Sequence, residues 1–417
     1  MAELIKGYFR RGGLSILSSG VFVKLVGLLM SAYLARMVSP ESFGHFTYAL
    51  LVVCFIRPVV TEGFSRSYLR FGALLTSAEQ KSRLLAAIYS RGLMATISVW
   101  VVLLAVSAWI CKSNSGSLPY FWILAFLLIG EYFISLLGSH FRINHWNRKY
   151  ALIAVYRTLI QAGLAIVGVY FFGAIGYAVA TISALLFAFL VMGGPRLLGV
   201  PKFRGSPPLC NYEGLKSFLY FVSLSATVSG GAFIIDGIVL GNVLKDPAAL
   251  AQYRIATLLP VSLMILPKMF FTAEYVYIAE NYQNKIFIKH YLKQYMLLFA
   301  MISLTVLLFV HLLGEWIVVT IFSEKYVAAV PLLKILSFGI CGAYILRQPF
   351  GILLNSSGRA DLNLFNGVAT LLITTFTIVW LVPRLGLNGA AIATSISLWL
   401  SGILACYCYY FFVYRKL

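Results

Sequence analysis

Runs of about 20 mostly apolar residues follow one another along the whole of this chain, and no small soluble core can hide that many. A helix rises about 1.5 Å per residue, so each such run is long enough to cross the roughly 30 Å hydrocarbon layer of a bilayer. The runs predict spans at 13–35, 44–65, 85–110, 119–141, 151–172, 175–195, 216–244, 250–279, 290–313, 328–354, 362–382 and 387–413. With 61% hydrophobic and 11% charged residues over 417 positions, too little charge remains to coat a soluble domain. The expected fold class is an all-α polytopic membrane protein of about twelve transmembrane helices.

The connecting segments are unequal in charge. Placing the N-terminus in the cytoplasm puts Lys6, Arg10, Arg11, Arg66, Arg70, Lys81, Arg83, Arg142, Arg148, Lys149 and most other loop bases on the cytoplasmic side. The opposite side then holds only Arg36, Lys112, Lys245, Lys325 and Arg384. This bias predicts cytoplasmic termini and an even number of spans. The first run is too long for a cleaved signal peptide and carries Lys24, so it reads as an uncleaved signal anchor. The net charge of +20 resides in short loops rather than in a basic tail or an aromatic platform, which argues against a nucleic-acid partner. The six cysteines lie mostly in apolar runs, without disulfide or zinc spacing.

The longest polar connection, 196–213, contains Pro201, Pro207 and Pro208 and falls at mid-chain. It predicts an N-terminal bundle over 1–195, a cytoplasmic linker over 196–213 and a C-terminal bundle over 214–417. The halves also look related. Pro40 and Phe46-Thr47-Tyr48-Ala49 correspond to Pro247 and Tyr253-Arg254-Ile255-Ala256 at an offset of 207. Gly173-Ala174-Ile175-Gly176-Tyr177-Ala178-Val179-Ala180-Thr181 corresponds to Gly386-Leu387-Asn388-Gly389-Ala390-Ala391-Ile392-Ala393-Thr394 at an offset of 213. A six-helix repeat puts both halves in the same orientation, related by a pseudo-two-fold along the membrane normal, an arrangement used by transporters.

Eight bases remain inside the expected spans: Lys24, Arg57, Arg91, Arg157, Arg254, Lys268, Lys334 and Arg347. Each would cost about 2.5–3.5 kcal/mol at the bilayer centre if it faced lipid. They must snorkel, pair or line a water-filled cavity. Depth distinguishes them. Lys24 and Arg57 lie too far from either end to snorkel, whereas Arg91 and Arg157 fit either reading. The acids Glu62, Glu131, Asp236 and Glu274 are too few to pair all eight, and the surplus positive field favours an anionic cargo. Arg57-Pro58, Pro267-Lys268 and Arg347 near Pro349 place bases beside prolines, either at helix breaks that line a cavity or in ordinary kinked helices. No phosphate-cradling loop, HExxH or metal-spaced histidine supports catalysis, and no cofactor is expected. Energy would come from an ion gradient, the membrane potential or the substrate gradient. Glu131 and Asp236 are either sites for a coupling proton or sodium ion or simple neutralisers of nearby arginines.

The segment Arg36-Met37-Val38-Ser39-Pro40-Glu41-Ser42-Phe43-Gly44 resembles the Arg-x-Leu-x-Pro-x-x-Phe/Tyr-Gly element of polysaccharide-transporter flippases of the Wzx type, with Val38 in place of Leu. The following helix through Gly63 to Arg70 is similar to that family, as is Gly386-Leu387-Asn388-Gly389-Ala390-Ala391. The resemblance implies the multidrug/oligosaccharidyl-lipid/polysaccharide exporter superfamily, with two six-helix bundles, a central cavity and alternating access. It implies a bacterial inner-membrane protein that moves undecaprenyl-pyrophosphate-linked oligosaccharide to the periplasmic leaflet, working among membrane lipids and with other polysaccharide-assembly proteins as partners. On that reading Lys24, Arg57, Arg91, Arg157, Lys268 and Arg347 guide the pyrophosphate, and Arg66 and Arg70 gather it at the cytoplasmic mouth. The alternatives are a cation-coupled drug or metabolite antiporter, which would want an acidic cavity, and a membrane-embedded glycan polymerase, which would want larger external loops.

Overall fold

The computed structural model describes residues 13–73, 77–144, 146–197, 214–231, 234–268, 283–357 and 359–416, together with 75, 270, 271, 278 and 281. Lys6, Arg10, Arg11, Glu274 and positions 198–213 of the expected linker lie outside the described residues. The long elements are all helices: α1 Gly13–Met37, α2 Pro40–Ala73, α3 Ala78–Ile110, α4 Leu118–Leu124, α5 Leu127–Ile143, α6 Asn147–Val191, α7 Leu215–Gly231, α8 Ile235–Leu244, α9 Pro247–Leu263, α10 Lys285–Ile321, α11 Ala329–Gly342, α12 Gln348–Ser356 and α13 Ala360–Phe412. A π-helical turn, Ala343–Arg347, joins α11 to α12.

Helix starts explain the first repeated motif. Ser39 Oγ accepts the Ser42 amide at 3.2 Å just before Pro40 opens α2. Asp246 Oδ1 accepts the Ala248 and Ala249 amides at 2.9 and 3.2 Å just before Pro247 opens α9. In both, a capping oxygen satisfies orphan amides and proline fills the first helical position, where its missing donor costs nothing.

Among the described residues nine segments are long and apolar enough to cross a membrane, and α7 with α8 makes a tenth. Two of the nine, Leu152–Val191 with 40 residues and Asp361–Phe412 with 52, are about twice the length one crossing needs. Each is interrupted by a glycine in the same conformation: Gly173 at φ 56°, ψ −136° and Gly386 at φ 56°, ψ −138°. A Cβ strongly disfavours that region, so glycine is what permits the chain to reverse there. The arms then touch at backbone distance. A Cβ on Gly389 would lie 2.6 Å from the Leu381 carbonyl oxygen, and one on Gly176 would strike the Gly168 carbonyl. Among the described residues, taking α7 with α8 as one crossing and each interrupted helix as two gives twelve, as the hydropathy predicts. α2, by contrast, runs unbroken through Pro58.

The chain forms two compact units, Met37–Ile234 and Ile235–Leu417 with Met1–Arg36. This division exchanges two helices, α1 and α7, between the halves expected on either side of 196–213. α7 belongs with α2 to α6, and α1 with α8 to α13. Close packing explains both memberships. In the first unit, a Cβ on Gly63 of α2 would lie 2.8 Å from the Leu219 carbonyl oxygen of α7, and Ser223 Oγ donates to the Val59 carbonyl at 3.1 Å. In the second unit, α1 caps the C-terminus of α10, and the 3₁₀ turn Glu324–Tyr326 that follows α10 caps that of α1. Arg36 donates to the carbonyls of Ile321 (2.9 Å) and Thr320, while Lys325 Nζ donates to the Arg36 carbonyl (2.8 Å) and Tyr326 OH to that of Ala35 (3.2 Å). Cations at the negative ends of two helices satisfy carbonyls that the helices leave open.

Candidate functional site

In the unit Met37–Ile234 three charged side chains meet inside the spans. Glu131 on α5 is buried, and its Oε1 lies 2.7 Å from Arg157 Nη2 on α6 and 3.3 Å from Arg57 Nη1 on α2. Beside it, Gly130 packs closely against α6, where a Cβ would lie 2.9 Å from Leu185 Cδ1. Both guanidinium groups share one carboxylate, so one positive charge is left uncompensated. The guanidinium-bearing side chains stay reachable: Arg57 is 40% and Arg157 27% exposed. A carboxylate placed between two arginines fixes their planes and leaves their outer donors free for a second anion. Arg157, which depth alone left open to snorkelling, therefore belongs with Arg57. Arg91 on α3 is half-buried, and no hydrogen bond or ion pair joins it to this cluster among the described residues.

Arg66 and Arg70 sit exposed toward the end of α2. Arg66 Nε donates to Glu62 Oε2 at 2.6 Å, and the Arg70 guanidinium lies over the Phe218 ring at 4.4 Å. Exposed pairs of this kind contribute little to stability and leave the groups accessible.

The second unit holds a different arrangement. Asp236, in the first turn of α8, is buried. Its Oδ1 accepts the Gly237 amide at 2.8 Å, and its Oδ2 accepts Tyr253 OH at 2.7 Å and Thr394 Oγ1 at 3.4 Å. Tyr253 and Thr394 are themselves 2.8 Å apart. This carboxylate is met by hydroxyls and an amide, where Glu131 is met by two guanidinium groups. Oxygen-rich, compact surroundings of this sort suit a proton or a small cation. Tyr253 and Thr394 were not singled out from the sequence, yet both stand in the repeated motifs that converge here. The equivalent positions of the other half are Phe46 and Thr181, and Thr181 instead accepts from Gln161 Nε2 at 3.0 Å, so the two units are chemically unlike.

Arg347 closes the π-helical turn. Pro349, two residues on, lacks an amide donor and crowds the preceding turn, and a wider turn relieves both problems. Arg347 Nη1 donates to Asn363 Oδ1 at 2.9 Å, and Asn363 Nδ2 to Asn355 Oδ1 at 3.2 Å. Gly351 lies directly beneath, for a Cβ there would be 2.6 Å from Arg347 Nη1. Neither asparagine was anticipated, since an amide 16 residues away carries no signal in one sequence. Lys24 on α1 and Lys268 beyond α9 are exposed.

Long apolar helices in two compact units, each with charge fixed inside its spans, define a polytopic membrane protein with the fold of the multidrug and flippase exporters. The chain belongs to the family described as polysaccharide biosynthesis protein, which matches residues 33–331. An inward-facing multidrug resistance transporter of the MATE family, in the MOP superfamily, is similar over 97% of each chain with a TM-score of 0.72 at 15% identity. The lipid II flippase MurJ, in an inward closed conformation, is similar over 94% of this chain and 87% of its own, with a TM-score of 0.76 at 14% identity. A MOP superfamily transporter from Pyrococcus furiosus is similar over 97% and 94% with a TM-score of 0.65 at 15% identity. No curated protein matches the chain in sequence.

Proposed function

We propose that this protein flips an undecaprenyl-pyrophosphate-linked oligosaccharide, a repeat unit of O-antigen or a similar surface polysaccharide, from the cytoplasmic to the periplasmic leaflet of a bacterial inner membrane. The observation that carries this reading is the Arg57–Glu131–Arg157 cluster, where two half-exposed guanidinium groups share one carboxylate and keep a net positive charge within the spans. A pyrophosphate needs such donors, and arginine supplies them in the forked geometry that phosphate oxygens accept. The polysaccharide family supports the glycan, and the exporter fold supports alternating access. Lys24, Arg91, Lys268 and Arg347 are further phosphate-guiding groups, with Arg66 and Arg70 at the cytoplasmic mouth. Both termini are cytoplasmic, and the partners are membrane lipids and other polysaccharide-assembly proteins.

The ion-coupling role falls to Asp236, with a proton or sodium ion as the coupled species. Glu131 fits the neutralising role instead, because two arginines already occupy it. A drug or metabolite antiporter of the same fold is the second reading, favoured only by the Asp236 site. Deletion of the gene in its native host tests the proposal. Lipid-linked repeat units should accumulate facing the cytoplasm and surface glycan should vanish. Normal surface glycan in a deletant lacking any substitute flippase rejects it.

A further inference from the structure

Three buried hydroxyl-bearing residues and one cysteine share the seam between α10 and α11. Ser337, Cys341 and Tyr344 follow one another along a single helical stripe of α11 and the π-helical turn. Ser303 faces them from α10. The Cys341 thiol donates to the main-chain carbonyl of Ser337 at 3.2 Å and lies 3.9 Å from that of Ser303, which sets the two helices side by side here. The Tyr344 ring meets Phe299, one turn from Ser303, edge-on with centroids 6.1 Å apart. Ser303 is 3% exposed, Ser337 1% and Tyr344 0%, and none of their hydroxyls has a hydrogen-bond partner among the described residues.

Most buried hydroxyls of this protein behave otherwise, Ser67 and Tyr409 excepted. Ser90, Thr96, Thr181, Thr370, Thr374 and Ser397 are buried in helices too, and each donates to the carbonyl four residues earlier. Ser303 and Ser337 sit in the same helical setting and do not. The deeply buried tyrosines Tyr132 and Tyr295 also donate, to the carbonyls of Ile88 at 2.9 Å and of Tyr344 at 3.0 Å. A buried polar group without a partner is costly, and three together mark a place where a partner belongs.

We infer that Ser303, Ser337, Cys341 and Tyr344 form a binding site for internal water. The donor set decides the ligand. It has hydroxyls that both give and accept and a soft thiol, with no carboxylate to offset a cation and no base to hold an anion. A water needs two to four polar partners, and this seam provides them. The site lies next to the π-helical turn that carries Arg347. The inference is independent of the flippase reading.

X-ray radiolytic footprinting of the full-length protein in lipid nanodiscs, read by mass spectrometry, tests it, because bound water generates hydroxyl radicals in place. Tyr344 should be oxidised several-fold faster than the equally buried Tyr132 and Tyr295, whose hydroxyls are satisfied by protein. Ser303→Ala with Ser337→Ala should slow Tyr344 oxidation several-fold and leave Tyr132 unchanged. Equal rates at Tyr344 and Tyr132 in the unaltered protein overturn the inference, and that comparison stands even if the double variant fails to fold. Thermal unfolding supplies a second reading. Ser337→Ala lowers the midpoint if it removes a partner of bound water, and an unchanged or raised midpoint, as expected for the loss of a dry orphan hydroxyl, overturns it.

Discussion

Arg157 Nη2 approaches Glu131 Oε1 to 2.7 Å, and Arg57 Nη1 reaches the same oxygen from 3.3 Å. Without that carboxylate the two guanidinium groups would repel each other inside the spans. Glu131→Gln should therefore lower thermal stability markedly, since removing one member of a buried ion pair costs about 3–5 kcal/mol. Adding Arg157→Gln to Glu131→Gln should recover part of the loss. A double-mutant cycle on unfolding midpoints measures this, and additive losses would show that the two side chains are not coupled.

Arg57→Ala should abolish or strongly reduce surface glycan at equal expression, and Arg57→Lys should retain more of it. Lysine keeps the charge but cannot bond two phosphate oxygens with one planar group. Immunoblots of surface polysaccharide in a complemented deletant check the order of the three proteins. Equal glycan in all three would remove Arg57 from the transport path.

Asp236→Asn should uncouple flipping from an imposed proton or sodium gradient, while binding of lipid-linked oligosaccharide persists. Tyr253→Phe should weaken coupling less, because it removes one of several donors to the carboxylate and leaves the charge. Gradient-driven flipping in proteoliposomes reads the first effect, and equilibrium binding to the detergent-purified protein reads the second. Loss of binding in Asp236→Asn would make the group part of the cargo site instead.

Gly173→Ala and Gly386→Ala should each reduce the yield of folded protein, because a side chain at φ 56° costs of order 1–3 kcal/mol. Gly163→Ala is the control. Gly163 lies in a regular part of α6 with nothing within 4 Å of an added Cβ, so the change should be neutral or stabilising by up to about 1 kcal/mol. Fluorescence-detected size-exclusion chromatography distinguishes the two outcomes.

Spans, count and repeat are legible in one sequence because they rest on local composition and on spacing. The hairpin glycines stand at the offset of 213 that the motifs reveal, and Pro40 and Pro247 both follow capping residues. Pairing is not local. Glu131 meets Arg57 across 74 residues, and nothing in either segment names the other. Asp236 was visible as an intramembrane acid, but Tyr253 and Thr394 passed as ordinary members of repeated motifs. Membership of α1 and α7 in the two units depends on close approaches at Gly63 and on the carbonyls capped by Arg36 and Lys325, which hydropathy does not encode.

Gly173 lies in a stretch without a single Lys, Arg, Asp or Glu between Arg157 and Arg196. Charge cannot instruct the insertion machinery where that stretch should turn back, because no loop charge exists to be retained on either side. The reversal is written in one residue's torsion alone. The close backbone approach of Gly168 to Gly176 then holds the two arms together where no charge is present to do so.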